Sequence, residues 1–133
     1  MSEQTTVHVP ATLSGMASLL TTFRTLLTQA GVPASIQRNV HAAVDELVAN
    51  VVEHGGAGAK AHGVTMLVES DDERVAVELI DHGVAFDPVN AVPATSMALQ
   101  VGGIGIQLAR HWVDDVRYER RGDQNHVYLV KRR

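Results

Sequence analysis

Asp45-Glu46-Leu47-Val48-Ala49-Asn50-Val51-Val52-Glu53-His54 is the stretch on which the fold turns. Glu46, Asn50 and His54 recur at i, i+4 and i+8, so on a helix they share one face in steps of about 40°. Leu47 and the valines cover the opposite side, and Ile36, Val40 and Val44 carry that apolar side upstream. The spacing predicts a helix capped by Ser35 and stopped near Gly55 and Gly56. Before it, Leu13, Met16, Leu19, Leu20, Phe23, Leu26 and Leu27 recur at threes and fours, predicting an amphipathic helix over 13–30. Gly31 and Pro33 supply its stop. Thr5 to Val9 alternates weakly and ends at Pro10, as an edge strand does.

Downstream the pattern changes period. Val64 to Glu69 and Val75 to Ile80 are β-branched runs separated by Ser70-Asp71-Asp72-Glu73, which predicts a hairpin. Directly after the second run comes Asp81-His82-Gly83-Val84-Ala85-Phe86-Asp87-Pro88. An acid at a strand end followed by glycine leaves a carboxylate facing a cleft where backbone can come close, although Asp and Gly also serve ordinary turns. Residues 81–103 read as a long loop, and loops of that length in a compact domain are usually functional. Gly102-Gly103-Ile104-Gly105-Ile106 then opens a helix expected over 104–112. Glycines ahead of a helix let N–H groups converge on an anion. This is neither a P-loop nor a dinucleotide fingerprint. Two last strands, near 116–120 and 126–131, flank Arg121-Gly122-Asp123-Gln124-Asn125. The order β-α-α-β-β-loop-α-β-β gives an α+β fold: a two-layer sandwich with a mostly antiparallel five-stranded sheet and three helices on one face.

With 133 residues the expectation is one domain over 1–133, able to bury roughly two-thirds of its unfolded surface. Hydrophobic residues make up 45% and charged residues 20%, an ordinary balance for a globular protein. The absence of cysteine excludes disulfides, thiolate zinc sites and cysteine nucleophiles. Neither a secretory leader nor an apolar run long enough to span a bilayer is visible, so a cytoplasmic protein without membrane contact is expected. A formal charge of −4 argues against direct nucleic-acid binding by the whole surface.

A carboxylate, a carboxamide and an imidazole on one helical face can hold a hard cation or orient a nucleophile, yet a polar helical stripe is equally that of a solvated face. Order and separation lift the three features together. They resemble the ATP-binding domain of the gyrase, Hsp90, histidine-kinase and MutL superfamily, the Bergerat fold. Glu46, Asn50 and His54 match its E-x-x-x-N-x-x-x-[HK] box, Asp81 and Gly83 its D-x-G box, and Gly102, Gly103 and Gly105 its glycine-rich box. Asp81-His82-Gly83, Phe86-Asp87-Pro88, Gly103-Ile104-Gly105-Ile106 and Asp114-Asp115-Val116 are similar to the bacterial anti-sigma-factor serine kinases, nearly end to end.

That resemblance implies ATP and Mg²⁺ as cofactors. Asp81 is expected to accept from the adenine amino group and Gly83 to leave room beside the base. Asn50 is the expected Mg²⁺ ligand, Glu46 the general base acting on a protein serine, and His54 a neighbour of the phosphates. Gly102, Gly103, Ile104 and Gly105 are expected around the phosphates, under a lid over about 84–102. The expected activity is a serine protein kinase that phosphorylates a small anti-sigma-factor antagonist and binds a sigma factor, with a homodimer compatible. Two other readings stay open: a nucleotide-gated binding module with little or no transfer, and the detached catalytic half of a histidine kinase.

The chain departs from the family pattern in two places. Many relatives carry threonine or serine near the last strand, whereas Gly122-Asp123-Gln124-Asn125-His126 has no hydroxyl, leaving Asn125 as the possible substitute. No lysine or arginine lies between Arg74 and Arg110, so γ-phosphate charge falls to Mg²⁺, N–H groups, Arg110 or a partner. Among the remaining residues, His41 reads as a surface histidine, and His8, His62 and His126 lack metal-ligand spacing. Trp112 reads as core, and the basic residues Arg117, Arg120, Arg121, Lys131, Arg132 and Arg133 as a solvated sheet edge.

Overall fold

The computed structural model describes residues 3–85 and 110–133. Strand β1 (Glu3–Val9) is followed by helices α1 (Leu13–Gln29), α2 (Ala34–His54) and α3 (Gly56–His62). Strands β2 (Val64–Ser70), β3 (Arg74–Asp81), β4 (Asp115–Arg121) and β5 (Gln124–Arg132) complete a five-stranded sheet in the order β1-β2-β3-β5-β4. Every neighbouring pair is antiparallel. The α+β expectation is therefore met.

Strand alternation assigns the faces. Val64, Met66, Val68, Val75, Val77, Leu79, Val127 and Leu129 point to the buried side, where they meet Leu19, Phe23 and Leu27 of α1 and Val40, Ala43, Val44, Leu47 and Val48 of α2. These are the apolar stripes the helical spacing predicts. The middle of α2 is thus pinned to the sheet through its valine side, which turns the opposite face, with Glu46, Asn50 and His54, away from the core. Trp112 packs against this core as expected.

Local signals were read with mixed success. Thr12 caps α1, its Oγ1 accepting from Gly15 N at 3.0 Å. Ser35 does not cap α2: the helix starts at Ala34 with Pro33 in the cap position and no side-chain cap bond, which leaves Ser35 inside the first turn. Helix α3 was not anticipated. The β2–β3 turn is closed by Asp71, whose Oδ1 accepts from Glu73 N at 2.8 Å and Arg74 N at 3.0 Å; those bonds lower its carboxyl pKa. Of the helix expected over 104–112, only the helical residues 110–112 fall within the described part.

The largest register difference lies at the C-terminal hairpin. Sequence placed residues 121–125 in a loop, but the turn is only Gly122-Asp123, with Gly122 at φ +59. A turn this tight carries the ladder further, so Asn125 sits in β5 directly opposite Asp81 at the end of β3.

Beyond Asp81 the chain docks on the end of α2. Val84 N donates to Gly55 O at 3.1 Å. A Cβ on Gly83 would lie 2.9 Å from Gly55 Cα, Gly55 O and Asp81 Oδ1. Glycine at 83 is thus required by the backbone contact itself. Gly83→Ala should lower stability by about 1–3 kcal/mol, the usual range for overpacking a tight contact. Urea unfolding measures it, and an unchanged midpoint would show that the two segments do not touch.

His41 is half-buried rather than on the surface. It stacks on Phe23 with ring centroids 6.4 Å apart and approaches Arg24 Nη2 at 3.4 Å. Burial first, and then the Arg24 charge, lower its pKa from the ordinary 6.5, with Asp45 partly opposing. The unfolded chain therefore takes up this proton more readily than the folded one, and stability falls as pH drops through 6.5 toward the lower folded value. His41→Gln should flatten the fall in melting temperature between about pH 8 and about pH 5; an identical slope in both proteins would remove His41 from the account.

Candidate functional site

The strand-end acid is built into the core edge. Asp81 is 6% and Asn125 5% exposed. Asp81 Oδ1 accepts from Gly83 N at 2.8 Å and from Asn125 Nδ2 at 3.0 Å. A carboxylate has room for about four donors. Here both donors serve the same oxygen, and Oδ2 takes no hydrogen bond from the described residues. That oxygen is left to accept from a ligand or from water.

Asn125 is held from behind. Its Oδ1 accepts from Tyr118 Oη at 2.6 Å and from Arg120 Nη1 at 3.0 Å, while its Nδ2 also donates to Val84 O at 2.9 Å. Arg120 Nη1 further donates to Gly83 O at 2.8 Å. Arg120 is exposed on the edge strand, as the sequence led one to expect, but its guanidinium also ties the residues after Asp81 to the last hairpin. Arg117 and Arg121 do behave as edge charges, pairing with Asp115 at 2.8 Å and Glu119 at 2.9 Å. Alternation in β4 carried the signal for those bonds: Val116, Tyr118 and Arg120 share one face, the first buried and the last exposed.

The second element of the site is the last three turns of α2, which hold Glu46, Asn50 and His54. Glu46 and Asn50 are half-buried and His54 is exposed. His54 Nε2 lies 3.5 Å from Glu53 Oε2 and is otherwise open to solvent. Asn50 is the unusual member, because its Nδ2 is buried without a hydrogen-bond partner. An orphaned amide of this kind costs about 1–3 kcal/mol unless something pairs with it. A half-turn of the carboxamide presents either N–H to an anion or oxygen to a hard cation at that position. The contact of Gly83 and Val84 with Gly55 brings the C-terminal end of this helix against the Asp81 turn. Gly102, Gly103, Ile104 and Gly105, with most of the expected lid and Phe86-Asp87-Pro88, lie outside the described residues.

On the other face of the sheet runs a polar chain that the sequence did not disclose. His126 Nδ1 lies 2.9 Å from Glu78 Oε2, and its Nε2 lies 3.0 Å from Gln124 Oε1. Gln124 Nε2 reaches His82 Nε2 at 3.1 Å, and the His82 ring lies against His62 with centroids 4.4 Å apart. No group of three or more His, Asp or Glu among the described residues has the arrangement of a metal site. No helix among them is long and apolar enough to cross a membrane.

Comparison with known proteins agrees with this architecture. A curated relative, the serine/threonine-protein kinase BtrW of Bordetella bronchiseptica, is 30% identical over 90 residues, 65% of this chain and 63% of that protein. The chain thus spans somewhat less than two-thirds of that relative's length. Among solved structures, the RsbU and RsbW domains of Rv1364c from Mycobacterium tuberculosis superpose with a TM-score of 0.74 at 20% identity, over 98% of this chain and 32% of that one. The SiaB-SiaC complex from Pseudomonas aeruginosa gives a TM-score of 0.61 at 14% identity, over 97% of this chain and 89% of that one. At such identities the two structures speak for the fold alone. The family described as the histidine kinase-like ATPase domain matches residues 9–131, nearly the whole chain. This protein belongs to the histidine kinase-like ATPase domain family.

Proposed function

We propose that this chain is an ATP-Mg²⁺-dependent serine protein kinase of the anti-sigma-factor type. It phosphorylates a small antagonist protein and binds a sigma factor. The observation that carries the reading is the pair of groups that meet at one junction: Asp81 Oδ2, which takes no hydrogen bond from the described residues, and the Asn50 amide, buried without a partner among them. An adenine amino group meets the first, and a metal ion or phosphate oxygen meets the second. The residues present therefore fit the nucleotide and its cation.

Bound Mg²⁺ would supply charge neutralisation on the phosphates. The chain's own residues do the remainder. Asp81 orients the base, and Gly83 keeps backbone close to it. Asn50 Oδ1 holds the cation. Glu46, one turn earlier on the same face, takes the proton from the substrate serine Oγ as that oxygen attacks the γ-phosphorus; the bond to the β-phosphate oxygen breaks and ADP leaves. His54 and the Gly102, Gly103, Ile104 and Gly105 segment lie beside the phosphates in this reading. Positioning and charge supply most of the rate enhancement.

Two departures bear on turnover. No lysine or arginine lies between Arg74 and Arg110, so the lid adds no permanent cation to the phosphate-binding charge. No hydroxyl stands at the Asn125 position. A nucleotide-gated binding module is the reading these favour if transfer fails. Incubation with Mg-ATP and the cognate antagonist should label serine, and Glu46→Gln should reduce the rate by about 10²–10⁴-fold, the usual worth of a general base. Equal labelling by both proteins would refute the role of Glu46. ATP-dependent partner binding without any label would establish the gated module, and acid-labile phosphate on a partner would point to histidine transfer.

Metal dependence gives a separate check. Asn50→Ala should bind ATP in EDTA about as wild type does, but lose the extra affinity that Mg²⁺ confers. Wild-type gain on adding Mg²⁺ to the variant would assign the cation elsewhere.

A further inference from the structure

We infer that Asn125 is the positioning residue that sets adenine over guanine selectivity, acting through Asp81. The inference rests on the nucleotide reading above and deepens it. It starts from a hydrogen-bond count. Arg120 is donor-only, so the atom of Asn125 that it touches must be the oxygen; Tyr118 Oη donates to the same atom. The carboxamide therefore cannot turn over, and its NH₂ end must face Asp81 Oδ1 and Val84 O. Both hydrogens are then used. Asn125 has nothing left to offer a nucleotide, which is why it acts through another residue.

The consequence falls on Asp81. Its Oδ1 is gripped by two donors whose orientation is fixed, Gly83 N and Asn125 Nδ2. That holds the carboxylate plane and leaves Oδ2 as an acceptor with no donor beside it among the described residues. Adenine presents an amino group at C6, which such an oxygen accepts. Guanine presents a carbonyl oxygen there, which would face the carboxylate acceptor to acceptor. A serine or threonine hydroxyl in this position both donates and accepts and turns freely, so it fixes the acid less firmly. The arginine behind Asn125 removes that freedom. The shared burial of Asp81 and Asn125, 6% and 5% exposed, keeps water from replacing the amide cheaply.

Calorimetric titration with Mg-ATP and with Mg-GTP tests this on wild type, Asn125→Ala, Asn125→Thr and Arg120→Met, with melting temperatures checking that each is folded. Asn125→Ala should cut the ATP-to-GTP affinity ratio by about tenfold or more, since a polar site discriminates through groups held in place. Arg120→Met, which leaves Asn125 intact but removes one of the two donors that hold its oxygen, should narrow the ratio in the same direction. Asn125→Thr restores a donor and should fall between Asn125→Ala and wild type. A role in folding alone would lower both affinities together and leave the ratio within about twofold of wild type; that result overturns the inference. Equal affinity of wild type for both nucleotides overturns it too, while leaving the ATP site standing. A wild type that binds neither nucleotide overturns the nucleotide reading itself, and this inference with it.

Discussion

The arrangement of this protein depends on how one buried carboxylate is satisfied. Asp81 lies at the end of a central strand, and donors on either side of it supply a single oxygen. The cost of burying the charge is offset by Gly83 N and by Asn125, each a hydrogen bond to an ionised acceptor, the stronger kind. Asn125 reaches that position only because the β4–β5 turn is as short as Gly122-Asp123 and the β3–β5 ladder runs to its end. Tyr118 and Arg120 complete the set from β4. Three strands are therefore tied together at one corner of the sheet, and that corner is the one the nucleotide reading uses.

The helical layer is fitted to the same corner by packing. Valine and leucine side chains of α2 cover the sheet, so its polar face is turned away from the core. At its C-terminal end the helix meets the chain after Asp81 through Gly55 and Gly83, so close that Gly83 has no room for a side chain. Sheet corner and helix end thus hold each other, and the orphaned amide of Asn50 stands about one turn from the junction. Among the described residues the buried side-chain polar atoms without a partner are Asn50 Nδ2 and Ser70 Oγ, and the first of them lies at this junction, which gives it weight as the mark of a ligand.

Much of this was legible in the residues, for identifiable reasons. The Glu46, Asn50 and His54 stripe is a local pattern of period 3.6, and Asp81 followed by Gly83 stands at the end of an unmistakable β-branched run. Helix α3 escaped because Gly56-Ala57-Gly58-Ala59-Lys60-Ala61-His62 has no apolar stripe and two glycines. Ser35 was overvalued because the helix begins one residue before it, with Pro33 in the cap position. Asn125 and Arg120 were harder: Arg121 to Asn125 has the composition of a loop, and arginine on an edge strand is ordinarily solvated. Their placement depends on a pairing between β3 and β5, which are far apart in the chain, and such register follows from tertiary contacts that local patterns do not contain. The period-2 run Asn125, Val127, Leu129 was the sole sequence trace of it.

The central claim is that Asp81 reads an adenine amino group in the cleft beside α2. Isothermal calorimetry of Mg-ATP with the folded wild type and with Asp81→Asn tests it most directly. The account predicts a saturable heat for wild type and its near loss in Asp81→Asn, whose melting temperature is followed in parallel. No heat from wild type at about millimolar ATP, or indistinguishable binding by a folded Asp81→Asn, would contradict it.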